Sequence, residues 1–260
     1  MLYLVTDAVI GRSLDRYGEY CQGEVDLFAQ VVRPGDVALD VGANLGVHTI
    51  PLAQAVTSRG AVVAFEPQRI LFQCLCANVA LNGLDNVRTR HAAVGRRPGW
   101  VRVPQIDYAA GGNFGGLQLT NRQGGEQVEL TTLDSLGLTA CDFVKIDVEG
   151  MESQVIDGAE ALIGRFRPVL YVENNRRAES PELIRRLLDL GYALYWHFAW
   201  LYNRNNHFAE AENVFGDTMT ANMLCLPKES PRLVSGLREV TGPDDFWRRD
   251  RASSAIRDSR

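Results

Sequence analysis

A chain of 260 residues is long for one domain and short for two, which favours one domain with decorations. With 46% hydrophobic and 23% charged residues it has ample material for a sizeable core. A formal charge of −5, with basic residues clustered only as short pairs such as Arg96-Arg97 and Arg176-Arg177, argues against a nucleic-acid partner. The five cysteines (Cys21, Cys74, Cys76, Cys141 and Cys225) are scattered and form no CxxC pair, the pattern of reduced thiols. No basic segment followed by an apolar run opens the sequence, and no stretch is long enough to span a membrane. The expectation is a cytoplasmic protein without a membrane partner.

In chain order, residues 1–35 read as an N-terminal segment with a helix, and 36–228 as the main domain. Strands are expected at Asp36–Val41, Ala61–Glu66, Asn86–Val94, Asp142–Val148 and Arg167–Asn174, each apolar or β-branched. Helices fall between them, at Gly46–Ser58, Gln68–Leu81, Met151–Ile163 and Pro181–Leu190. Ser180 caps the last of these, Pro181 opens it and Gly191 closes it. Alternation of this kind implies right-handed crossovers and a mostly parallel sheet covered by helices on both faces. Tyr192–Phe198 and Ala221–Pro227 read as closing strands. Two insertions interrupt the pattern, a glycine-rich one at about 104–127, read as a mobile hairpin or lid, and a polar one with aromatics at 199–220. The extension 229–260 ends in the charged "DDFWRRDRASSAIRDSR" and reads as partly disordered.

The segment "LDVGANLGVHT" (Leu39–Thr49) carries the first chemical signal. Asp40 ends a strand, and Gly42, Asn44 and Gly46 occupy the turn into a helix, whose free N–H groups attract anions. Glu66 stands at the end of the next strand, placed to accept hydrogen bonds from ribose hydroxyls. A dinucleotide turn places a second glycine where Asn44 stands, so that a pyrophosphate can approach the backbone. Asn44, with Val47 at the third glycine position, favours an adenosine ligand without a diphosphate, namely S-adenosylmethionine (SAM).

Together, "DVGANLGVHT", "AFEP", "VKIDVEGMESQVIDGA" and "PVLYVEN" resemble the FkbM family of SAM-dependent methyltransferases, over about Asp7 to Pro227. The resemblance implies a class I, Rossmann-like methyltransferase fold, with a seven-stranded sheet whose last strand is antiparallel. It also implies that Asp40, Gly42, Asn44 and Gly46 form the methionine-side loop, with Thr49 near the amino-acid moiety. Glu66 then binds the ribose, with Pro67 and the Ala92-Ala93 segment near the adenine. Family members mostly methylate hydroxyls of sugars and natural products, and some methylate amide nitrogens of peptides.

The catalytic expectations come from adjacent strand ends. Asp147 and Glu149 end one strand, and Glu173 and Asn174 the next. Alternation puts Lys145, Asp147 and Glu149 on one face. A hydroxyl acceptor must lose its proton to a base or have its pKa lowered by a metal. Asp147 and Glu173 are candidates for that base, and Asp147, Glu173 and Asn174 for oxygen ligands of a divalent cation such as Mg²⁺. His197 is a further base candidate, because its ordinary pKa suits proton removal near neutrality.

The leading expectation is an O-methyltransferase acting on a small molecule, natural product or glycan; an N-methyltransferase acting on an amide or peptide is the alternative. A dehydrogenase on the same sheet and a SAM-binding scaffold are the competing classes. The reading leaves room for a homo-oligomer.

Overall fold

The computed structural model describes residues 1–119, 124–230 and 234–247. Two helices lead the chain, α1 (Ile10–Tyr17) and α2 (Gln22–Val31), followed by β1 (Val37–Val41), α3 (Thr49–Val56), β2 (Ala61–Phe65), α4 (Arg69–Leu81) and β3 (Val87–Arg90). A side unit of β4 (Ala92–Val94), β5 (Gly99–Val103) and β6 (Glu126–Thr131) comes next. The main alternation resumes with β7 (Phe143–Ile146), α5 (Glu152–Asp157), α6 (Glu160–Phe166), β8 (Val169–Glu173) and α7 (Ser180–Asp189). It closes with the hairpin of β9 (Tyr192–Trp200) and β10 (Met219–Pro227) and the short β11 (Arg238–Glu239).

The large sheet has the order β11-β9-β10-β8-β7-β1-β2-β3. Strands β3, β2, β1, β7 and β8 pair in parallel, and β10 is antiparallel to both of its neighbours. The expected seven-stranded class I sheet is therefore present, with β11 added at its edge as an eighth strand. Strand β1 leads outward to β2 on one side and lies against β7 on the other. This reversal opens a crevice at the carboxyl ends of β1 and β7. The central strands are buried on both faces. Leu39, Val144, Ile146 and Leu170 pack toward Val155, Ile163 and Leu187, while Ala38, Phe143 and Tyr171 pack toward Phe28 and Leu52.

Several boundaries differ from the sequence expectation. The helix expected at Met151–Ile163 is two, because Gly158 lies against the backbone of Gly95, where an added Cβ would stand 2.1 Å from the Gly95 carbonyl oxygen. The strand expected at Asn86–Val94 splits at His91, and its second half joins the side unit as β4. Ser180 is the first residue of α7 and makes no side-chain cap. The insertion at 104–127 leaves from β5 and returns in β6, which pair antiparallel. Its described part docks by Ala8 N–H to Gly112 O (2.8 Å), Gly112 N–H to Thr6 O (3.1 Å) and Gln68 Nε2 to Phe114 O (2.7 Å). Residues 120–123, in the segment read as a lid, lie outside the described residues. The C-terminal extension is ordered further than its charge implied, since Val240 is buried and Phe246 and Trp247 pack beside Trp196 and Phe198. Residues 248–260, within the segment read as disordered, are outside the description. Among the described residues, no helix is long and apolar enough to cross a membrane.

Candidate active site

Asp40 is fully buried near the end of β1. Thr49 Oγ1, at the start of α3, donates to its Oδ2 (2.6 Å), and Lys145 Nζ, from β7, lies 3.3 Å from its Oδ1. The same ammonium donates to Gly42 O (3.3 Å) and stands 3.5 Å from Asp147 Oδ2. Burial acts to lower the Lys145 pKa, but Asp40, Asp147 and Glu24 outweigh it and hold the lysine above its ordinary range. This knot ties β1, α3 and β7 together. Asp40 and Thr49 stand behind the wall of the crevice rather than on it.

The crevice encloses a cavity of about 370 Å³. On the β1–β2 side its wall includes Gly42, Asn44, Glu66, Pro67 and Ala92, five of the residues expected to hold the donor. Gly42 has φ +81°, and a Cβ there would meet Asp147 O at 1.8 Å, so only glycine lets the β1 turn pass the end of β7. Asn44 adopts the left-handed conformation (φ +51°), and its Oδ1 accepts from Leu45 N–H (2.8 Å), a local bond that suits asparagine to this backbone. Glu66 accepts from Asn44 N–H (2.8 Å) and Gln68 N–H (2.7 Å), one on each carboxylate oxygen. Burial raises its pKa to about 7 against the pull of these two N–H groups. Gly46 is not on the wall; the group that comes close to it is Leu75 of α4.

On the β7–β8 side the wall carries Asp147, Glu149 and Glu173, with one carboxylate oxygen of each within 4.8 Å of the others. Glu149 Oε2 accepts from Arg176 Nη2 (2.6 Å), and burial with the nearby Asp147 charge raises its pKa to about 7. Glu173 Oε1 accepts from Asn175 Nδ2 (2.6 Å), while its Oε2 is buried without a partner. Burial first, and Asp147, Glu149 and Glu152 after it, push the Glu173 pKa well above the ordinary range.

Two expected residues are not brought to this wall. Asn174 is buried with its Nδ2 toward Met223 Sδ (3.3 Å), so Glu149 rather than Asn174 joins Asp147 and Glu173. His197 also stands off the cavity wall, because strand alternation in β9 turns its ring to Tyr171, with Nδ1 2.8 Å from that hydroxyl. Burial lowers the His197 pKa to about 4, which weakens it as a base.

Glu24, His48 and Trp247 also stand on the wall, outside the set expected to hold the donor or carry the chemistry. Glu24 did leave a signal, since it shares the buried face of α2 with Leu27, Phe28 and Val31 at helical spacing. Trp247 left none, since its place depends on the extension folding back, where Nε1 donates to Asn174 O (3.1 Å).

The FkbM methyltransferase domain matches residues 40–194. The solved structure of the FkbM methyltransferase from Methylobacillus flagellatus KT is similar, with a TM-score of 0.50 and 18% identity, covering 78% of this chain and 50% of that one. The chain thus spans half the length of that protein. Similarity at TM-score 0.49 and 14% identity extends to precorrin-6y C5,15-methyltransferase from Geobacter metallireducens GS-15, covering 78% of this chain and 85% of that one. A putative rRNA-methylase from Clostridium thermocellum follows at 0.47 and 11%, covering 86% and 97%. No curated protein matches the chain. With the matched domain spanning more than half of the residues on a class I methyltransferase sheet, the chain belongs to the FkbM methyltransferase family.

Proposed function

We propose that the protein transfers a methyl group from SAM to a hydroxyl of a small molecule, natural product or glycan. The observation that carries this reading is a single cavity reaching from Glu66, pinned by two backbone N–H groups, to the unpartnered oxygen of Glu173. SAM supplies an electrophilic methyl on a sulfonium centre. The acceptor oxygen bonds to the methyl carbon as the carbon–sulfur bond breaks, and the hydroxyl proton passes to a carboxylate. Glu66 keeps lone pairs for the ribose hydroxyls, and Pro67 and Ala92 offer apolar surface for the adenine. Among the described residues the wall bears five carboxylates (Glu24, Glu66, Asp147, Glu149 and Glu173) and one full cation, Lys145, a balance that suits a cationic donor. Glu173 receives the proton, with Asp147 beside it.

Three clustered carboxylates are ligands a hard divalent cation accepts. In this reading Lys145 and Arg176 stand in that role against Asp147 and Glu149. Turnover should therefore survive exhaustive chelation; its loss, restored by Mg²⁺, would give the carboxylates to a metal instead.

The test is incubation with methyl-labelled SAM and panels of hydroxyl and amide acceptors, with mass spectrometry locating the label. Label on oxygen supports the reading, whereas label on an amide nitrogen makes the protein an N-methyltransferase. Tight NAD binding without binding of S-adenosylhomocysteine would make it a dehydrogenase.

A further inference from the structure

We propose that Glu24, with His48 beside it, seats the α-ammonium group of SAM. The inference rests on the donor reading above and deepens it. Glu24 is 3% exposed and reaches the cavity wall from α2. Its Oε1 accepts from Thr220 Oγ1 (2.5 Å) and Asn222 Nδ2 (3.0 Å), both on β10. Its Oε2 lies 3.4 Å from His48 Nε2 but shares no hydrogen bond with it, and that imidazole nitrogen is buried without a partner. One carboxylate oxygen is therefore positioned by neutral donors, while the other and the imidazole nitrogen remain for a ligand.

Among the described residues, this carboxylate has no cation of its own. Burial lowers the His48 pKa to about 3, so the imidazole is neutral. Lys145, the cation that acts on Glu24 among the described residues, is already engaged by Asp40, Asp147 and Gly42 O. Tyr20, Cys21 and Tyr171 also face Glu24, and burial keeps all three neutral. Burial, with the Asp147 charge added to it, raises the Glu24 pKa to about 7 against the bonds from Thr220 and Asn222 and the pull of Lys145. An arriving ammonium would supply the missing charge through a charge-assisted hydrogen bond.

The position also fits the donor's outline. Glu66 would hold the ribose on the β2 side, and the methionine portion would then pass the Gly42–Asn44 turn. Asp40, the acid of that turn, is sealed behind the wall by Thr49 and Lys145. Glu24 and His48 are the acid and imidazole at the α2–α3 side of this turn. The sulfonium is left to face Asp147 and Glu173, where the acceptor must enter.

The experiment compares three ligands by titration calorimetry. They are S-adenosylhomocysteine, its analogue with hydrogen in place of the α-amino group, and 5′-methylthioadenosine, which lacks the whole amino-acid half. Wild-type protein should prefer S-adenosylhomocysteine over the desamino analogue by about tenfold or more. Glu24→Gln should abolish most of that preference while binding 5′-methylthioadenosine as the wild type does, which also reports an intact fold. Glu24→Asp, retaining the charge, should recover part of it. Near pH 7, binding should release protons from the wild type and fewer from Glu24→Gln, read from the dependence of heat on buffer ionisation. An unchanged preference in Glu24→Gln overturns the proposal, and if turnover is lost at the same time Glu24 is the acceptor's base. Failure of the wild type to bind any of the three ligands overturns the donor reading itself and this inference with it.

Discussion

Glu66 accepts two backbone N–H groups, whereas Glu173 keeps one buried oxygen without a partner, and this contrast sets what each can do. Glu66 is held rigidly, so Glu66→Ala should weaken S-adenosylhomocysteine binding by about tenfold to a hundredfold in calorimetry. Unchanged affinity would remove Glu66 from the donor site. Glu173 acts as a base only when ionised, and its pKa is raised, so it stays protonated where an ordinary glutamate has lost its proton. Turnover at saturating SAM should therefore climb with pH along a limb above the ordinary carboxylate range of about 4. Glu173→Gln should abolish turnover while S-adenosylhomocysteine still binds; full activity in this variant would exclude Glu173 as the base. Gly42, Asn44 and Glu66 were legible in the sequence because strand ends and turns place them locally. His197 was chosen on its side-chain type, and the sequence does not show that its strand turns it toward Tyr171. Glu24 was missed because its partner Asn222 is 198 residues away along the chain.

Elements meet at the knot of Asp40, Thr49 and Lys145, where β1, α3 and β7 share one buried charge balance. Asp40→Ala should cost about 3–5 kcal/mol of folding stability, because it strips Lys145 of a buried partner. Denaturant unfolding measures this; unchanged stability with loss of donor binding alone would put Asp40 back in direct contact with the ligand. Strand and turn spacing put Asp40 and Thr49 beside the crevice, yet spacing alone does not tell a wall from the support behind it. The same holds for Gly46, where the close neighbour proved to be Leu75. Helix α5 ends early for a reason outside its own segment, the approach of Gly95 to Gly158.

Across the whole molecule, strand–helix alternation was enough to foresee the mostly parallel sheet, because its buried strands are chiefly apolar, whereas the antiparallel closing strand was implied by the family resemblance. The extension after β10 was hidden by its charge. Val234, Leu237, Val240, Phe246 and Trp247 pack it onto the core, together with the pairing of Arg238 and Glu239 against Trp196 and Tyr195. Ending the chain after residue 230 should lower the thermal midpoint, since Trp196 and Phe198 lose their cover. It should also raise the acceptor KM, because Trp247 leaves the cavity wall. A truncated protein with unaltered melting and kinetics would reduce the extension to a passenger.

The contacts of α1 and α2 also bear on how the protein is born. Tyr17 donates to Glu212 O (2.9 Å), Glu19 receives Asn203 Nδ2 (2.9 Å) and Glu24 receives Thr220 and Asn222. Helices α1 and α2 therefore cannot complete their docking until the hairpin of β9 and β10 has emerged from the ribosome. A nascent chain stalled before β10 should leave α1 and α2 open to protease, while the released chain should shield them. Synthesis thus withholds the competent pocket until the hairpin of β9 and β10 has been delivered.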